Sequence, residues 1–320
     1  MDEALHRYCD SGVADSTKQT YRSGLNRFMS FCFAFGVPAP FPVSETLLCY
    51  FVTALARDGV APATIRTYLA AVRHAQILRG WPEPRESSSL PRLRLVQKGI
   101  CREQAVRGTA PPQRLPITPP ILRLLLPPRH QSATYDQHLL WAAASVCFFG
   151  FFRAGEITVP TAPAFDQAVH LTWGDVSISE DGRVLRVFLK RSKTDQYGRG
   201  IEVFIGATND DLCPVRAVTS YVSLRGPEPG TFFRHADGTP LTKARFVELV
   251  RSALIRAGVS VRGYSGHSFR IGAATAAAQA GVPDSVIQAL GRWASQAFLQ
   301  YIRTPRSHLA QYSASLTRRP

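Results

Sequence analysis

A dense cluster of prolines divides this chain of 320 residues. Proline fixes φ, lacks an amide hydrogen and disfavours helix in the residue before it, so no helix can continue through this stretch. The cluster comprises Pro111, Pro112, Pro116, Pro119 and Pro120. A chain of this length has room for two domains, each with its own core. We therefore predict domains over residues 1–107 and 121–320, joined by a linker over residues 108–120.

Apolar residues at helical spacing fill the first of these domains. Ser16 is a candidate N-cap, and the apolar positions after it are Tyr21, Leu25, Phe28, Cys32 and Phe35. Ser44 is a candidate N-cap for a second helix, and Pro62 suits the first turn of a third. Helical periodicity of this kind predicts a compact all-α domain.

Basic residues follow the same helices. Arg66 and Arg73 are seven positions apart and share a face of the third helix, where a solvated surface is the alternative interpretation. A second basic group comprises Arg92, Arg94, Lys98, Arg102 and Arg107. Nothing in this group favours a base-specific geometry, so we expect it to contact phosphates rather than bases.

The net charge indicates the class of partner. The formal charge is +15 and the pI about 10.1, an excess of base that attracts polyanions such as nucleic acid. A basic surface also suits anionic membranes, but no apolar run approaches the ~20 residues that a spanning helix needs. The longest, residues 139–152, contains Ser145 and Gly150 and predicts a buried helix.

The cysteines and the N-terminus indicate the compartment. None of the cysteines forms a Cys-x-x-Cys pair, which argues for free thiols and against a zinc site. The first residues are acidic and unlike a signal peptide. We therefore expect a reducing compartment, the nucleus or the cytosol.

Strand signals occur in the second domain. Residues 170–178, 184–189 and 201–205 favour strands, with a polar hairpin tip over residues 190–200. Residues 213–224 and 242–257 predict helices. The expected fold class is mainly α with a small antiparallel β-sheet (α+β).

An arginine follows four closely spaced phenylalanines. Arg153 comes directly after Phe152, at the end of the predicted buried helix. Because arginine is rarely buried without a partner, we expect it to project into a cleft, held by Glu156. A purely structural Arg–Glu pair is the alternative.

A histidine and an arginine lie close together in the sequence toward the C-terminus. His267 and Arg270 are three residues apart, so on a helix they can converge on one oxyanion. Arginine presents a planar fork that matches a phosphate, and histidine exchanges a proton near neutral pH. A phenol downstream, Tyr301, is a potential nucleophile. The tetrapeptide by itself is weak, because such pairs also occur on solvated helices.

The longer strings are more specific. Gly-His-Ser-Phe-Arg-Ile-Gly-Ala-Ala-Thr from Gly266, Leu-Gly-Arg-Trp from Leu290 and Gln-Tyr-Ile-Arg around Tyr301 together resemble the tyrosine recombinase (phage integrase) family. These sequence motifs are most similar to those of recombinases of eukaryotic mobile elements (DIRS-like or Crypton-like). A phage or bacterial integrase is the alternative. The resemblance implies a core-binding (SAM-like) domain over residues 1–107 and a catalytic domain over residues 121–320.

The resemblance also implies roles. Arg153 and Arg270 would bind the scissile phosphate, and Tyr301 would attack it. His267 would either handle the tyrosine proton or hydrogen-bond the phosphate. Lys193, or Lys190 as the fallback, would protonate the leaving 5′ oxygen. The family's chemistry needs no metal and no cofactor.

Two positions stay open. Many family members have His or Trp nine residues before the nucleophile, where this chain has Arg292, with Trp293 one residue later. Either side chain could fill that site. Tyr312 is a rival for the nucleophile, although Tyr301 keeps the family spacing.

The implied partners are double-stranded DNA and further copies of the chain, as a tetramer on paired sites. Leu309, Tyr312 and Leu316 form an apolar stripe on a predicted tail helix, which would dock on a neighbouring subunit or on its own domain. Two other functions fit the same residues: a recombinase-derived DNA-binding protein without activity, and a type IB topoisomerase.

Overall fold

The computed structural model describes residues 2–82, 90–108, 113–128, 133–192, 195, 198–303, 310 and 313–314. The chain divides into two compact units, Met1–Pro111 and Pro112–Pro320. Each unit has its own hydrophobic core and is described by itself.

The regular secondary structure of the first unit is all helical in its described residues. Its helices are α1 (Asp2–Ser11), α2 (Asp15–Ala34), α3 (Glu45–Arg57), α4 (Pro62–Leu78) and α5 (Pro91–Val106). The predicted start signals of α3 and α4 are confirmed. The Ser44 hydroxyl accepts the Leu47 N–H at 3.2 Å, and Pro62 lies in the first turn of α4. The largest side chains of the core are Phe28, Phe51, Leu55 and Ile65.

The predicted cap and apolar face of α2 need correction. The helix begins at Asp15 and has Ala14 as its N-cap, so Ser16 lies inside the first turn. Phe35 lies beyond the last helical residue and is 67% exposed, whereas Phe28 and Cys32 are buried as expected. The apolar spacing continued one residue further than the helix itself.

The predicted DNA-contacting residues of this unit lie at its surface. Arg94, Lys98 and Arg102 recur every four residues on α5 and therefore share one face, and all three are exposed. Arg66 and Arg73 are exposed on α4, and Arg92 is exposed at the start of α5. The Arg92 backbone N–H donates to Glu45 at 2.8 Å, which joins α5 to α3.

The second unit combines helices with one small sheet. Its elements are α6 (Pro119–Arg123), α7 (Tyr135–Phe149), α8 (Ala154–Ile157), β1 (Val176–Ile178), β2 (Val184–Leu189), β3 (Ile201–Gly206), α9 (Pro214–Arg225), α10 (Lys243–Arg256), α11 (Ser268–Gln279) and α12 (Asp284–Gly291). The strands are antiparallel in the order β1-β2-β3. Leu189 pairs with Ile201, so β2 and β3 are paired as the predicted hairpin requires. The predicted fold class, mainly α with a small antiparallel sheet, is confirmed.

The first predicted strand is shorter than expected. Of residues 170–178, Val176–Ile178 form β1, while Trp173–Asp175 form a 3-10 turn. The cause is Asp175, whose carboxylate accepts both the backbone N–H and the hydroxyl of Thr172 at 2.7 Å. This local capping competes with strand pairing.

The centre of the second core is α7. Its residues from Leu139 to Phe148 are all buried, as expected for a helix that is apolar on every side. It packs against α9 and α11. The next residues, Gly150 and Phe151, leave the helix and lead into the short α8.

The end of the predicted linker belongs to the second unit. The Leu115 N–H donates to Gly263 at 3.0 Å, the Ile117 N–H donates to Ser268 at 2.9 Å, and Ile117 is 0% exposed. A Cβ on Gly272 would lie 1.9 Å from the Ile117 carbonyl oxygen, so glycine is required for this approach. Helix α6 then begins at Pro119, because proline suits the first turn of a helix.

Within the described residues, no helix is long and apolar enough to cross a membrane. Across the same ranges, no group of three or more His, Cys, Asp or Glu side chains is arranged to hold a metal ion. All six cysteines are free, and Cys32, Cys49, Cys147 and Cys213 are buried.

Candidate active site

Arg153 and Glu156 form a compact unit at the start of α8. Arg153 is the N-cap residue, and its backbone N–H donates to the Glu156 carboxylate at 2.8 Å. Its side-chain Nη1 donates to the other carboxylate oxygen at 2.6 Å. The Glu156 side chain is 6% exposed, so this pair is nearly desolvated. The predicted interaction between Arg153 and Glu156 is present, as a backbone hydrogen bond and as an ion pair.

The turn before Arg153 directs a backbone carbonyl toward other cations. Phe151 has a φ of 52°, a left-handed conformation that costs free energy in a bulky residue. Its carbonyl oxygen accepts from Arg270 at 2.7 Å and from Arg292 at 3.3 Å. The strained turn therefore binds two guanidinium groups from distant parts of the chain.

Gly266 brings the Arg153 segment against the His267 segment. The Ala154 N–H points at the Gly266 carbonyl at 3.4 Å, and a Cβ on Gly266 would lie 2.8 Å from the Ala154 Cβ. Any larger residue would push the two segments apart. His267 is the N-cap residue of α11, and Arg270 follows in the first turn.

Arg270 is the most deeply buried cation of the site. It is 0% exposed, and its Nη1 and Nη2 donate to the carbonyls of Phe151 and Gly291. The guanidinium carbon stacks 4.1 Å from the ring centroid of Trp293. Burial, reinforced by Arg153, lowers the pKa of Arg270 to about 10, so the group stays charged at neutral pH. Its Nε–H has no hydrogen-bond partner among the described residues.

Arg292 and Trp293 both lie in the site but face different neighbours. Arg292 has a φ of 55° and donates to Glu156 at 3.3 Å and to the Gly150 carbonyl at 2.9 Å. Burial lowers its pKa, and Glu156 acts in the opposite direction. Trp293 lies against Arg270 instead, and its indole N–H is buried without a partner in the described ranges. The Arg292 guanidinium thus already donates hydrogen bonds to protein groups, whereas the indole N–H of Trp293 has no acceptor among the described residues.

Tyr301 lies beside both Trp293 and Arg270. The two ring centroids are 5.2 Å apart, and the Arg270 guanidinium carbon is 5.8 Å from the Tyr301 ring centroid. The phenol is half-buried. The structure therefore brings together Arg153, Glu156, Arg270 and Tyr301, although about 150 residues separate the first from the last.

The electrostatic surroundings keep His267 neutral. Burial, together with the positive charges of Arg114, Lys243, Arg153 and Arg270, lowers its pKa from 6.5 to about 4. At neutral pH this imidazole is a proton acceptor rather than a cation.

Two of these cations were not anticipated from the sequence. The Lys243 side chain runs close to the backbone at Gly155 and Gly266, at 4.0 and 3.8 Å from the Cβ positions built there. Arg114 is exposed and near His267. The available signals were weak: Lys243 is the first residue after the Thr242 cap, and Arg114 directly precedes the Leu-Pro-Ile-Thr string.

Of the two lysine candidates for the general acid, Lys190 lies in the described residues and Lys193 does not. Lys193 lies outside the described residues, as does Tyr312. The fallback, Lys190, forms an ion pair with Asp175 and donates to the backbone carbonyls of Gln167 and His170 at 2.9 and 3.2 Å. Lys190 therefore holds the base of the hairpin, and its donors are already engaged.

The charges of the site do not balance. Within the described ranges, three guanidinium groups lie around a single carboxylate, that of Glu156: the partly exposed Arg153 and the more deeply buried Arg270 and Arg292. Desolvated like charges repel one another, so this arrangement is stabilised by an anion. The partnerless N–H groups of Arg270 and Trp293 add hydrogen-bond donors for it. The site suits a tetrahedral oxyanion such as a phosphate.

Comparison with known proteins finds similarity to one family. Residues 157–304 match the phage integrase family. An integrase/recombinase XerD homolog from Selenomonas ruminantium is 26% identical over 283 residues, which is 85% of this chain and 76% of that protein. The second unit of this chain is thus similar to the phage integrase family over most of its length.

Solved structures agree on the fold. The XerH site-specific recombinase bound to difH substrate has a TM-score of 0.58 at 15% identity, covering 93% of this chain and 79% of that one. The Tn1549 transposon integrase in complex with circular intermediate DNA has a TM-score of 0.57 at 14% identity, covering 94% of each. Both of those proteins were solved with DNA.

Proposed function

We propose that this protein is a site-specific recombinase that cuts and rejoins duplex DNA through a 3′-phosphotyrosine intermediate. The observation that carries the proposal is the convergence of Arg153, Arg270 and Trp293 beside Tyr301. A cluster of buried cations with unused donors binds a phosphate, and a phenol next to that phosphate can attack it. A protein that merely binds DNA has no use for a phenol in this position.

In the proposed reaction, the Tyr301 oxygen attacks the phosphorus and forms a P–O bond while the bond to the 5′ oxygen breaks. Arg153 and Arg270 offset the charge that builds on the non-bridging oxygens. The indole N–H of Trp293 is the better candidate for a further donor to the phosphate. Arg292 instead orients Glu156 and, through it, Arg153.

His267 and a lysine would move the protons. A neutral imidazole with a pKa of about 4 can accept the hydrogen bond or the proton of Tyr301, whereas an imidazolium could not. Lys193 would donate a proton to the leaving 5′ oxygen. The reverse steps, with a new 5′ hydroxyl attacking the phosphotyrosine, would rejoin the strand.

DNA is the partner of this protein, and the excess of base explains sequence-independent affinity for it. We further propose that it works as a tetramer on paired sites. Its origin would be a mobile element, with a nuclear location if the host is eukaryotic and a cytoplasmic one otherwise. The exposed arginines and the lysine of α4 and α5 would contact DNA phosphates.

The test uses a substrate that traps the covalent intermediate, with binding sites first recovered by selection from random DNA. Wild-type protein should form a protein–DNA adduct on denaturing gels, and the reaction should proceed in excess EDTA. Tyr301→Phe should bind DNA normally and form no adduct, since it loses the nucleophile and keeps the phosphate-binding groups. An adduct with the Phe variant would point to Tyr312. Strict dependence on added Mg²⁺ would contradict the metal-free mechanism.

The same protein preparation separates the rival functions. A topoisomerase relaxes supercoiled DNA without paired sites, whereas recombination requires two sites and exchanges strands between them. An inactive DNA-binding protein would yield no adduct with any substrate. Exchange between two labelled sites is the outcome that we expect.

A further inference from the structure

A buried threonine connects the phosphate-binding helix to the nucleophile segment. Thr275 lies on α11, five residues after Arg270, and is 2% exposed. Its hydroxyl donates to the Tyr301 carbonyl at 3.2 Å and accepts the Arg303 backbone N–H at 3.0 Å. A hydroxyl has one donor and two acceptor sites, so it can form both bonds at once.

This bonding differs from that of other threonines in helices of the chain. Thr53, Thr67 and Thr219 each donate to the carbonyl four residues back in their own helix. That bond is the usual one for a helical threonine. Thr275 bonds the segment that carries Tyr301 instead, so its hydroxyl joins two elements.

The nucleophile segment has little local structure of its own. It consists of a single 3-10 turn, Gln296–Gln300, and such short turns are not stable in isolation. Phe298 anchors the turn in the core, and the Tyr301 N–H donates to Phe298 at 2.8 Å. Phe298, three residues before Tyr301, fixes how deeply the segment is buried. An apolar contact of this kind does not fix the position of the segment along α11. The directional bonds of Thr275 supply that restraint.

We propose that Thr275 is a positioning residue, which holds Tyr301 in register with the arginines of the same subunit. The inference rests on the proposed function and deepens it. One helix, α11, then carries Arg270, has His267 as its N-cap and fixes the nucleophile. A displacement of about 1 Å between reacting groups can slow a reaction by about a hundredfold.

The first experiment compares substitutions in full-length protein. Thr275→Val keeps the shape and removes both hydrogen bonds, whereas Thr275→Ser keeps the hydroxyl. We expect adduct formation about a hundredfold slower for Thr275→Val and near wild-type for Thr275→Ser, with DNA binding unchanged in both. Thr219→Val is the matched control, since its hydroxyl bonds its own helix, and it should react normally. If Thr275→Val does not fold, Thr275→Cys has the same expected defect, because a thiol is a poor donor and acceptor.

The second experiment separates positioning of the nucleophile from binding of the phosphate. In a Tyr301→Ala background, hydrogen peroxide serves as the nucleophile: its oxygen bonds to the phosphorus, and the 5′ oxygen leaves as a hydroxyl. Adding Thr275→Val to that background should leave the peroxide rate unchanged, because the phosphate-binding groups are intact.

The outcomes are distinct. Equal losses with Tyr301 and with peroxide would mean that Thr275 supports the arginines, and would overturn the proposal. A Thr275→Val protein that forms adduct at the wild-type rate would also overturn it. If wild-type protein itself forms no adduct, the proposed function fails, which is a different result from either of these.

Discussion

Two residues in left-handed conformations shape the site at the scale of single side chains. Phe151 and Arg292 are the non-glycine residues with positive φ in the described part of the chain. Both belong to the site, where strain is compensated by surrounding contacts. The Phe151 carbonyl binds Arg270 and Arg292, and Arg292 in turn binds Glu156. The strained backbone at Phe151 thus positions two guanidinium groups of the candidate site.

The two hairpin lysines can be distinguished by their effect on the leaving group. A substrate with sulfur in place of the bridging 5′ oxygen has a leaving group that barely needs a proton. Lys193→Ala should be slow on ordinary DNA and restored on the sulfur substrate in single-turnover cleavage. Lys190→Ala should be equally impaired on both, because Lys190 holds the hairpin base through Asp175. Restoration of Lys190→Ala would instead identify Lys190 as the acid.

Lys243 should control the protonation of His267. Its charge contributes to lowering the pKa of the imidazole to about 4, after burial and Arg114. Lys243→Gln should therefore raise the His267 pKa, measured by NMR titration of the DNA-free protein. The variant should also reduce the slope of log affinity against log salt by about one, if Lys243 contacts a DNA phosphate.

The matched control for Lys243 lies on the same helix. Arg245→Gln removes the same charge from α10, but Arg245 forms an ion pair with Glu248 at 3.1 Å. It should leave the His267 pKa unchanged. Because the His267 pKa is lower in the folded state than in the unfolded state, the neutral imidazole contributes to stability above pH 6.5. That contribution to stability is lost as the pH falls toward 4. Lys243→Gln should narrow the pH range over which this contribution is lost. An unchanged His267 titration would contradict the proposed effect of Lys243 on the imidazole.

At the scale of elements, α8 depends on one carboxylate. The helix has four residues, too few to persist without tertiary contacts. Glu156 caps its first turn and bonds Arg153 and Arg292. The element that presents Arg153 is therefore held by its own counter-ion.

Glu156→Gln tests this dependence. The glutamine keeps the size of the side chain but leaves Arg153 and Arg292 without a negative partner. Removing one member of a buried ion pair costs about 3–5 kcal/mol, so we expect a loss of that order in the free energy of unfolding by urea. Glu248→Gln, at an exposed pair with Arg245, should cost less than ~1 kcal/mol. Bound DNA should raise the melting temperature of Glu156→Gln more than that of wild type, because phosphate replaces the missing charge. Similar losses for the two variants would contradict the proposed role of the buried pair.

At the scale of the whole molecule, the tail bears on assembly. Leu309, Tyr312 and Leu316 repeat at helical spacing, and an isolated helix of this length is marginal in water. If the tail docks on a neighbouring subunit, deletion of residues 306–320 should leave single-site DNA binding intact. It should abolish higher-order complexes and strand exchange.

Size-exclusion chromatography with light scattering on DNA-bound protein measures this. Loss of tetramers with retained site binding is the expected result. Unchanged tetramers after the deletion would mean that the tail packs on its own subunit and that assembly depends on other surfaces.

The sequence by itself determined the elements and the chemical inventory. Helical apolar spacing predicted α3 and α4, a continuous apolar run predicted α7, and strand patterns predicted β2 and β3. Ser44 and Pro62 located the starts of α3 and α4. These signals are local, because a cap or a period depends on neighbours within a few residues. Arg153, His267, Arg270 and Tyr301 were predicted as site residues from the resemblance, because their residue types occur in the order typical of the family.

Tertiary structure decided how these groups face one another. The sequence could not show that Arg292 binds Glu156 while Trp293 stacks on Arg270, because that choice depends on packing between α8, α11 and the end of α12. Nor could it show that residues 115–117 join the second core, or that Lys243 lies near His267. Contacts between residues more than a hundred positions apart arise when burial and close backbone approach select one arrangement. Local sequence periodicity therefore does not predict these long-range contacts.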